Sequence, residues 1–257
     1  MIMNPALLFR HAFLLALGFG GIGLFVPDHA KAQETGADGE IAAPSVEVSA
    51  YRVPTLLSET SQGVSIVSRE EIAARNPASV VELMRDIPGL YVDQLGGPGG
   101  VASVHIRGSD PEHVLVLVDG MRMNDPLLSR GGSYDFSSLD TTDIERIEVI
   151  RGAGSAIHGA DAMGGVINLL SRRPAANPVQ EFLLNRSTRG ATDAVTFLSA
   201  PLSRGWSVSL LGGGHWQETT DVNDDAWADL PGYRRAVVRP RLFWDGGDGR
   251  TFFATTG

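Results

Sequence analysis

The sequence predicts an exported protein in two parts: an α+β domain over 63–175, then antiparallel strands of membrane-barrel type over 176–257. Three observations carry this reading. Residues 113–125 (HVLVLVDGMRMND) put five apolar residues, Val114 to Val118, before an Asp-Gly pair, the pattern of a buried strand, a tight turn and an emerging strand. Residues 235–244 (RAVVRPRLFW) put three arginines on one face and none on the other over ten residues. Arg10 and His11, the uncharged run Ala12 to Val26 and the Ala30-Lys31-Ala32 site form a secretory signal over 1–32, cleaved before Gln33. That run is shorter than the about twenty apolar residues an anchor helix needs.

Composition narrows the function classes. The chain has no cysteine, which removes thiolate metal sites and cysteine nucleophiles. Its length permits a core without disulfides. The formal net charge of -9 moves to -10 once Arg10, Lys31 and Asp28 leave with the signal. So acidic a chain would be repelled by phosphates, and no nucleic-acid partner is expected. Thirty-one glycines in 257 residues exceed the usual ~7% and point to many turns and a β-rich protein.

Residues 33–62 read as a polar lead-in with little to pack, interrupted by Ser45-Val46-Glu47-Val48-Ser49-Ala50. Those six residues alternate apolar and polar. They suit an ordinary first strand of the next domain first, and second a segment that adds itself to a partner's sheet edge. Val64 to Val67 is a short strand, and Ser68-Arg69-Glu70-Glu71 fits a capping box. Asn76-Pro77 is expected to start a second helix, with Val80, Val81, Leu83 and Met84 as its apolar stripe. Pro88 and Gly89 end it. Strands follow at 90–94, 103–107, 114–118, 146–151 and 165–170, separated by glycine-rich loops such as 96–100.

From Val179 helical signals vanish and longer strands are expected at about 179–187, 192–201, 205–216, 233–244 and 250–257. Ala236, Val238, Pro240, Leu242 and Trp244 fall on one face of the fourth, and Arg235, Val237, Arg239, Arg241 and Phe243 on the other. Trp206, Val208 and Leu210 alternate with Ser207 and Ser209 in the same way. Apolar residues facing lipid and polar ones facing a lumen give this pattern, although a soluble sandwich strand shares its period. Tight turns at 203–205 and 245–249 and a sixteen-residue polar loop at 217–232 match the short inner turns and long outer loops of such barrels. Five strands cannot close a barrel, since the smallest bacterial ones have eight, so a longer protein is expected.

No catalytic constellation emerges, and no enzyme is expected. Gly152-Ala153-Gly154 lacks the third glycine of a dinucleotide loop, because position 157 is Ile. Ala160 stands where a phosphate loop needs Lys, and no nucleophile elbow surrounds Ser155 and His158. Asp221, Asn223, Asp225 and Asp229 occupy positions one, three, five and nine of a calcium-loop spacing. Ala226 replaces the glycine at position six and Gly232 the glutamate at twelve, so no sharp EF-hand turn is expected. The loop reads first as a solvated acidic surface whose carboxylates could gather Ca²⁺.

Residues 80–92 (VVELMRDIPGLYV), 106–125 (IRGSDPEHVLVLVDGMRMND) and 145–174 (ERIEVIRGAGSAIHGADAMGGVINLLSRRP) together resemble the plug domain of TonB-dependent outer-membrane receptors. The resemblance covers about 45–175 as plug and the following eighty residues as the start of the barrel. The wording HVLVLVDGMRMN is closest to the vitamin B12 subgroup.

The resemblance implies an α+β plug with a mixed four-stranded sheet and short helices, followed by an incomplete transmembrane β-barrel in outer-membrane lipid. It implies that Ser45, Val46, Glu47, Val48, Ser49 and Ala50 form the box that pairs with TonB. Apical loops at 94–103 and 124–135, including Gln94, Gly97, Ser103, Asn124, Asp125, Ser133 and Asp135, would touch substrate. Arg107 and Arg151, each closing an IRG, would pair with barrel glutamates beyond residue 257. The substrate class is a scarce metal chelate or cobalamin, and receptors of the cobalamin group use calcium to order loops. A soluble periplasmic plug-like binding module without transport is the alternative.

Overall fold

The computed structural model describes residues 47–49, 55–56, 60, 62–77, 79–124, 133–152, 158–223 and 225–256. The signal at 1–32, the lead-in to 46, and Ser45, Val46, Ala50 and Asp125 lie outside the described residues.

Strand β1 (Glu47–Val48) pairs antiparallel with β2 (Thr55–Leu56), and β3 (Gly63–Val67) follows. Helix α1 (Arg69–Arg75) starts where its capping box predicts, with the Ser68 hydroxyl accepting from the Glu71 N–H. Helix α2 (Val80–Arg85) starts later than Asn76-Pro77 suggested. Ser79 caps it by accepting from the Glu82 N–H, so a second S-x-x-E sets the start. Asn76 instead closes α1 in the left-handed conformation at φ 44, a role asparagine fills at modest steric cost.

Strands β4 (Leu90–Gln94) and β5 (Ala102–Ile106) form a separate hairpin. Then come β6 (Val114–Val118), β7 (Met121–Arg122), β8 (Ile144–Arg151) and β9 (Gly165–Ser171). The central sheet has the order β3-β8-β9-β6-β7, with β6 and β9 parallel and the other neighbours antiparallel. The four expected strands are present, and two-residue β7 extends them. The β6–β7 turn uses Asp119 at φ 52 and Gly120 at φ 80, the two left-handed residues of a type I′ hairpin.

This sheet is covered on both faces, which is why β6 is an unbroken apolar run rather than an alternation. Val114 and Val116 join Ile147, Val149, Ile167, Leu169 and the α2 stripe in the larger core. Leu115 and Leu117 join Val48, Ile150 and Val166 in a smaller core on the opposite face.

Strands β10 (Val179–Arg186), β11 (Ala191–Pro201), β12 (Trp206–Gln217), β13 (Tyr233–Asp245) and β14 (Thr251–Thr255) form an antiparallel meander that does not close on itself. Its outer face is apolar and open: Phe182 is 71% exposed and Val238 67%. Trp206, Trp244 and Phe252 cluster at one end, with ring centroids 6.2–6.3 Å apart. Trp216 lies ten residues from Trp206 on β12. Ten residues span about 33 Å along a strand, or ~25 Å across a layer at a ~40° tilt, which matches the apolar band of a membrane barrel. The end carrying residues 218–232 is termed the loop end, and the opposite one the turn end. Plug and wall belong to one unit, Pro44–Gly257.

Candidate functional site: the plug–wall interface and the N-terminal segment

Three of the four β13 arginines, Arg235, Arg239 and Arg241, point at the small domain. Ahead of β8, Asp140 and the short 3₁₀ turn Thr141–Asp143 place two carboxylates against the wall. Asp143 pairs with Arg239 at 3.0 Å and also with Arg241. Burial pushes the Asp143 carboxyl above its ordinary range, while Arg241 and Arg239 pull it down. Toward the loop end, Arg235 donates to the Ser137 carbonyl and pairs with Asp140 at 3.2 Å. His215 on β12 bridges Asp193 on β11, at 2.9 Å from Nδ1, and Asp140, at 2.8 Å from Nε2. The Nδ1 contact is a hydrogen bond, and Nε2 faces Asp140 within ion-pair distance.

Toward the turn end the polarity of the pairs reverses. Arg172, just after β9, donates both guanidinium nitrogens to Glu181 on β10 at 2.7 Å each and lies 4.2 Å over the Phe197 ring. This two-point geometry is the strong form of an ion pair, and the ring face adds attraction for the cation. Arg69 on α1 reaches the same carboxylate at 3.0 Å and donates to the Thr141 carbonyl. A continuous polar seam thus joins one side of the small domain to β10–β13. Asp140, Asp143, Glu181, Asp193 and His215 escaped the sequence reading. The one available signal is the pair of acids in Asp140-Thr-Thr-Asp143 directly before a strand, facing the arginine stripe of residues 235–241.

On the other face of the central sheet, β1 ends on a buried carboxylate. Ser49 donates its backbone N–H and its hydroxyl to Glu148, with distances of 3.0–3.2 Å. Arg146 approaches the same carboxylate at 2.8 Å and Asn168 at 3.2 Å. Val48 beside it is fully buried.

The expected substrate loops divide. Gln94 and Gly97 lie at the loop end: Gln94 accepts from Arg85, and Gly97 sits beneath Leu230 of the wall's long loop. Gly99, at φ +81, lies flat against the Tyr233 ring, where any Cβ would come within 2.5 Å of it. Ser103 and Ser133 are buried beneath that surface. Asn124 bonds the backbone of Val114 and Val116, and Asp135 accepts from the amides of Ala102 and Ser137. Those last four therefore hold the bases of the loops.

Arg107 and Arg151 converge on Gly63, both approaching within 3.4–3.6 Å of where its Cβ would stand. Arg151 donates to the Ser65 hydroxyl at 2.6 Å and the Pro88 carbonyl at 3.1 Å. Neither arginine forms an ion pair with a carboxylate among the described residues. Arg151 stands seven residues along β8 from Ile144, about 23 Å from the seam end of that strand.

In the long loop, Asp221 accepts from the amides of Asn223 and Ala226, Asp225 from that of Trp227, and Asp229 from that of Val222. Ala226 adopts φ 69. The sharp left-handed turn not expected without glycine is therefore made, because five amide–side-chain bonds across 221–229 hold it.

Residues 57–166 match the TonB-dependent receptor plug domain. The vitamin B12 transporter BtuB of Vibrio vulnificus is 33% identical over 180 residues, covering 70% of this chain and 29% of that protein. The ferric enterobactin receptor PfeA of Pseudomonas aeruginosa, solved with enterobactin, shares 27% identity at TM-score 0.54 over 71% of this chain and 30% of that one. The ferric yersiniabactin uptake receptor FyuA of Yersinia pestis shares the fold, at 23% identity and TM-score 0.59, over 74% and 30% of the two chains. This chain spans less than a third of the length of these relatives. Motif order, plug sheet and wall agree with those matches: residues 57–166 form a plug domain of the TonB-dependent receptor family, and five barrel-type strands follow it.

Proposed function

We propose that this chain serves, within a receptor of the Gram-negative outer membrane, in energy-coupled uptake of a scarce metal chelate or cofactor of the cobalamin or iron-siderophore class. One observation carries the reading. The plug is fixed by its charged seam to a wall whose outer face is apolar, while its N-terminal segment is docked on a separate face of the sheet. The loop end then faces outward, which puts Gln94 and Gly97 in reach of cargo and the turn end at the periplasm. Residues 45–50 are the segment TonB takes hold of, and Arg107 and Arg151 meet barrel carboxylates beyond residue 257.

The relatives are transport receptors. The soluble-module alternative is disfavoured by the open apolar face of Phe182, Leu184 and Val238, which water would not tolerate as a contiguous patch. Crosslinking from positions 45–50 to TonB in substrate-loaded cells tests the coupling. Growth of a deletion strain carrying the full-length gene, on cobalamin against iron chelates, tests the cargo. Absence of any crosslink, with a plug that purifies soluble without detergent, would favour the module.

A further inference from the structure

Glu148 is an unusual residue for the centre of a sheet. It is 0% exposed, and strand alternation turns it to the smaller-core face, since its neighbours Ile147 and Val149 belong to the larger core. Its companions there are Val48, Leu115, Leu117 and Val166. A carboxylate in such surroundings persists only with charge and hydrogen-bond partners. Arg146, two residues earlier on the same face, and Asn168 from β9 are two of these. The third is not part of the sheet: it is Ser49, ninety-nine positions away, giving both its N–H and its hydroxyl. Asn168 also donates to the Ser49 hydroxyl at 3.1 Å, so the three side chains close on one another.

The geometry points to Glu148 as the anchor that keeps the N-terminal segment on the plug, with Ser49 as the detachable half of the contact. This rests on the reading that residues 45–50 are the segment TonB engages. Hydrogen bonds to an ionised acceptor are the strong ones, so two donors from one residue hold a short segment that a two-strand ladder, β1–β2, could not hold alone. The contact is also reachable. Ser49 lines a cavity of about 890 Å³ between the plug sheet and β11, together with Arg146, Asn168, Arg172 and Phe197. Withdrawing Ser49 therefore widens an existing space, and water entering it can replace the lost donors. The anchor holds at rest and yields without unfolding the central sheet.

The test uses the full-length receptor in outer-membrane vesicles, with the spin-label site Glu47→Cys in an otherwise cysteine-free background. Glu148→Gln keeps the shape of the side chain and removes its charge. The mobile fraction of the label should rise about tenfold or more, the scale of losing charge-assisted hydrogen bonds. Ser49→Ala should raise it less, and the double variant should shift less than the two single shifts combined. Ser49→Pro changes no residue of the central sheet and removes both the N–H and the hydroxyl that Glu148 accepts from; it gives the same reading should Glu148→Gln fail to assemble. A label that stays immobile in these variants, in receptors with native heat-modifiable barrels, overturns the anchor. Mobility that responds while no variant crosslinks to TonB supports the anchor and sinks only the reading of residues 45–50.

Discussion

Asp143 and Arg241, 98 positions apart, face each other across the plug–wall seam with side chains only 3% and 4% exposed. Arg239 shares the same carboxylate. Asp143→Ala would strand two cations in this interface and should cost about 3–5 kcal/mol, the scale of breaking a buried pair. Replacing Asp143, Arg239 and Arg241 together with apolar residues of similar volume should recover most of that loss. Urea unfolding of the receptor in detergent measures both. Equal losses in the single and triple variants would mean that packing, not charge, holds the seam.

The same carboxyl gives a pH dependence. Burial holds its folded value above the unfolded one, so the folded state keeps the proton more tightly. Its contribution to stability is complete below the unfolded value of about 3.9 and is lost as pH rises through the raised folded value. Asp143→Asn cannot titrate. The stability of wild type relative to Asp143→Asn should therefore fall with rising pH above about 4 and then level off. A difference that rises over that window contradicts the assignment.

Arg107 separates folding from function because it sits at φ 51, a left-handed conformation costing a non-glycine residue about 1–2 kcal/mol. Arg107→Gly should leave plug stability unchanged or raise it by roughly 1 kcal/mol. Uptake should nevertheless fall, since the guanidinium that would meet the barrel is gone. Thermal melts and radiolabelled uptake on the same preparation decide the matter, and full uptake with raised stability removes Arg107 from the mechanism.

Val238 lies near the middle of β13 on the open outer face. Val238→Arg should cost about 2–4 kcal/mol when the receptor folds into bilayers, as charges at the midplane of barrel strands do. Its inward neighbour Arg239 already carries charge at the same depth, so the penalty reports the face rather than the depth. No penalty in lipid would place this strand outside the membrane.

Calcium at the 217–232 loop should be weak, about 10⁻⁴ to 10⁻³ M, as in extracellular modules. Glycine is absent at Ala226 and glutamate at Gly232, while Asp221, Asp225 and Asp229 already accept backbone amides. Ala226→Gly should tighten binding by relieving the φ 69 turn. Calorimetry on the full-length receptor checks this alongside Asp221→Ala and Asp225→Ala. Binding that survives both alanine changes, or none at millimolar calcium, leaves the loop an acidic solvated surface.

The sequence by itself determined every element whose cause is local. The Ser68 cap is a contact over three residues, and the Asp119-Gly120 turn needs only two left-handed conformations. The five wall strands follow from alternation, and the lumen face of Arg235, Arg239 and Arg241 was legible in β13 alone. The start of α2 misled because two local signals competed there: Pro77 offered one helix start, and the Ser79–Glu82 box won. Which charges meet was decided only by the tertiary structure. Asp143 and Arg241 are joined by packing the 3₁₀ turn ahead of β8 against the fourth wall strand, and Ser49 and Glu148 by laying an N-terminal segment over a sheet face. Neither contact has a period or a spacing, because long-range pairs are chosen by where whole elements pack, and a buried carboxylate takes whichever donors that packing brings within reach.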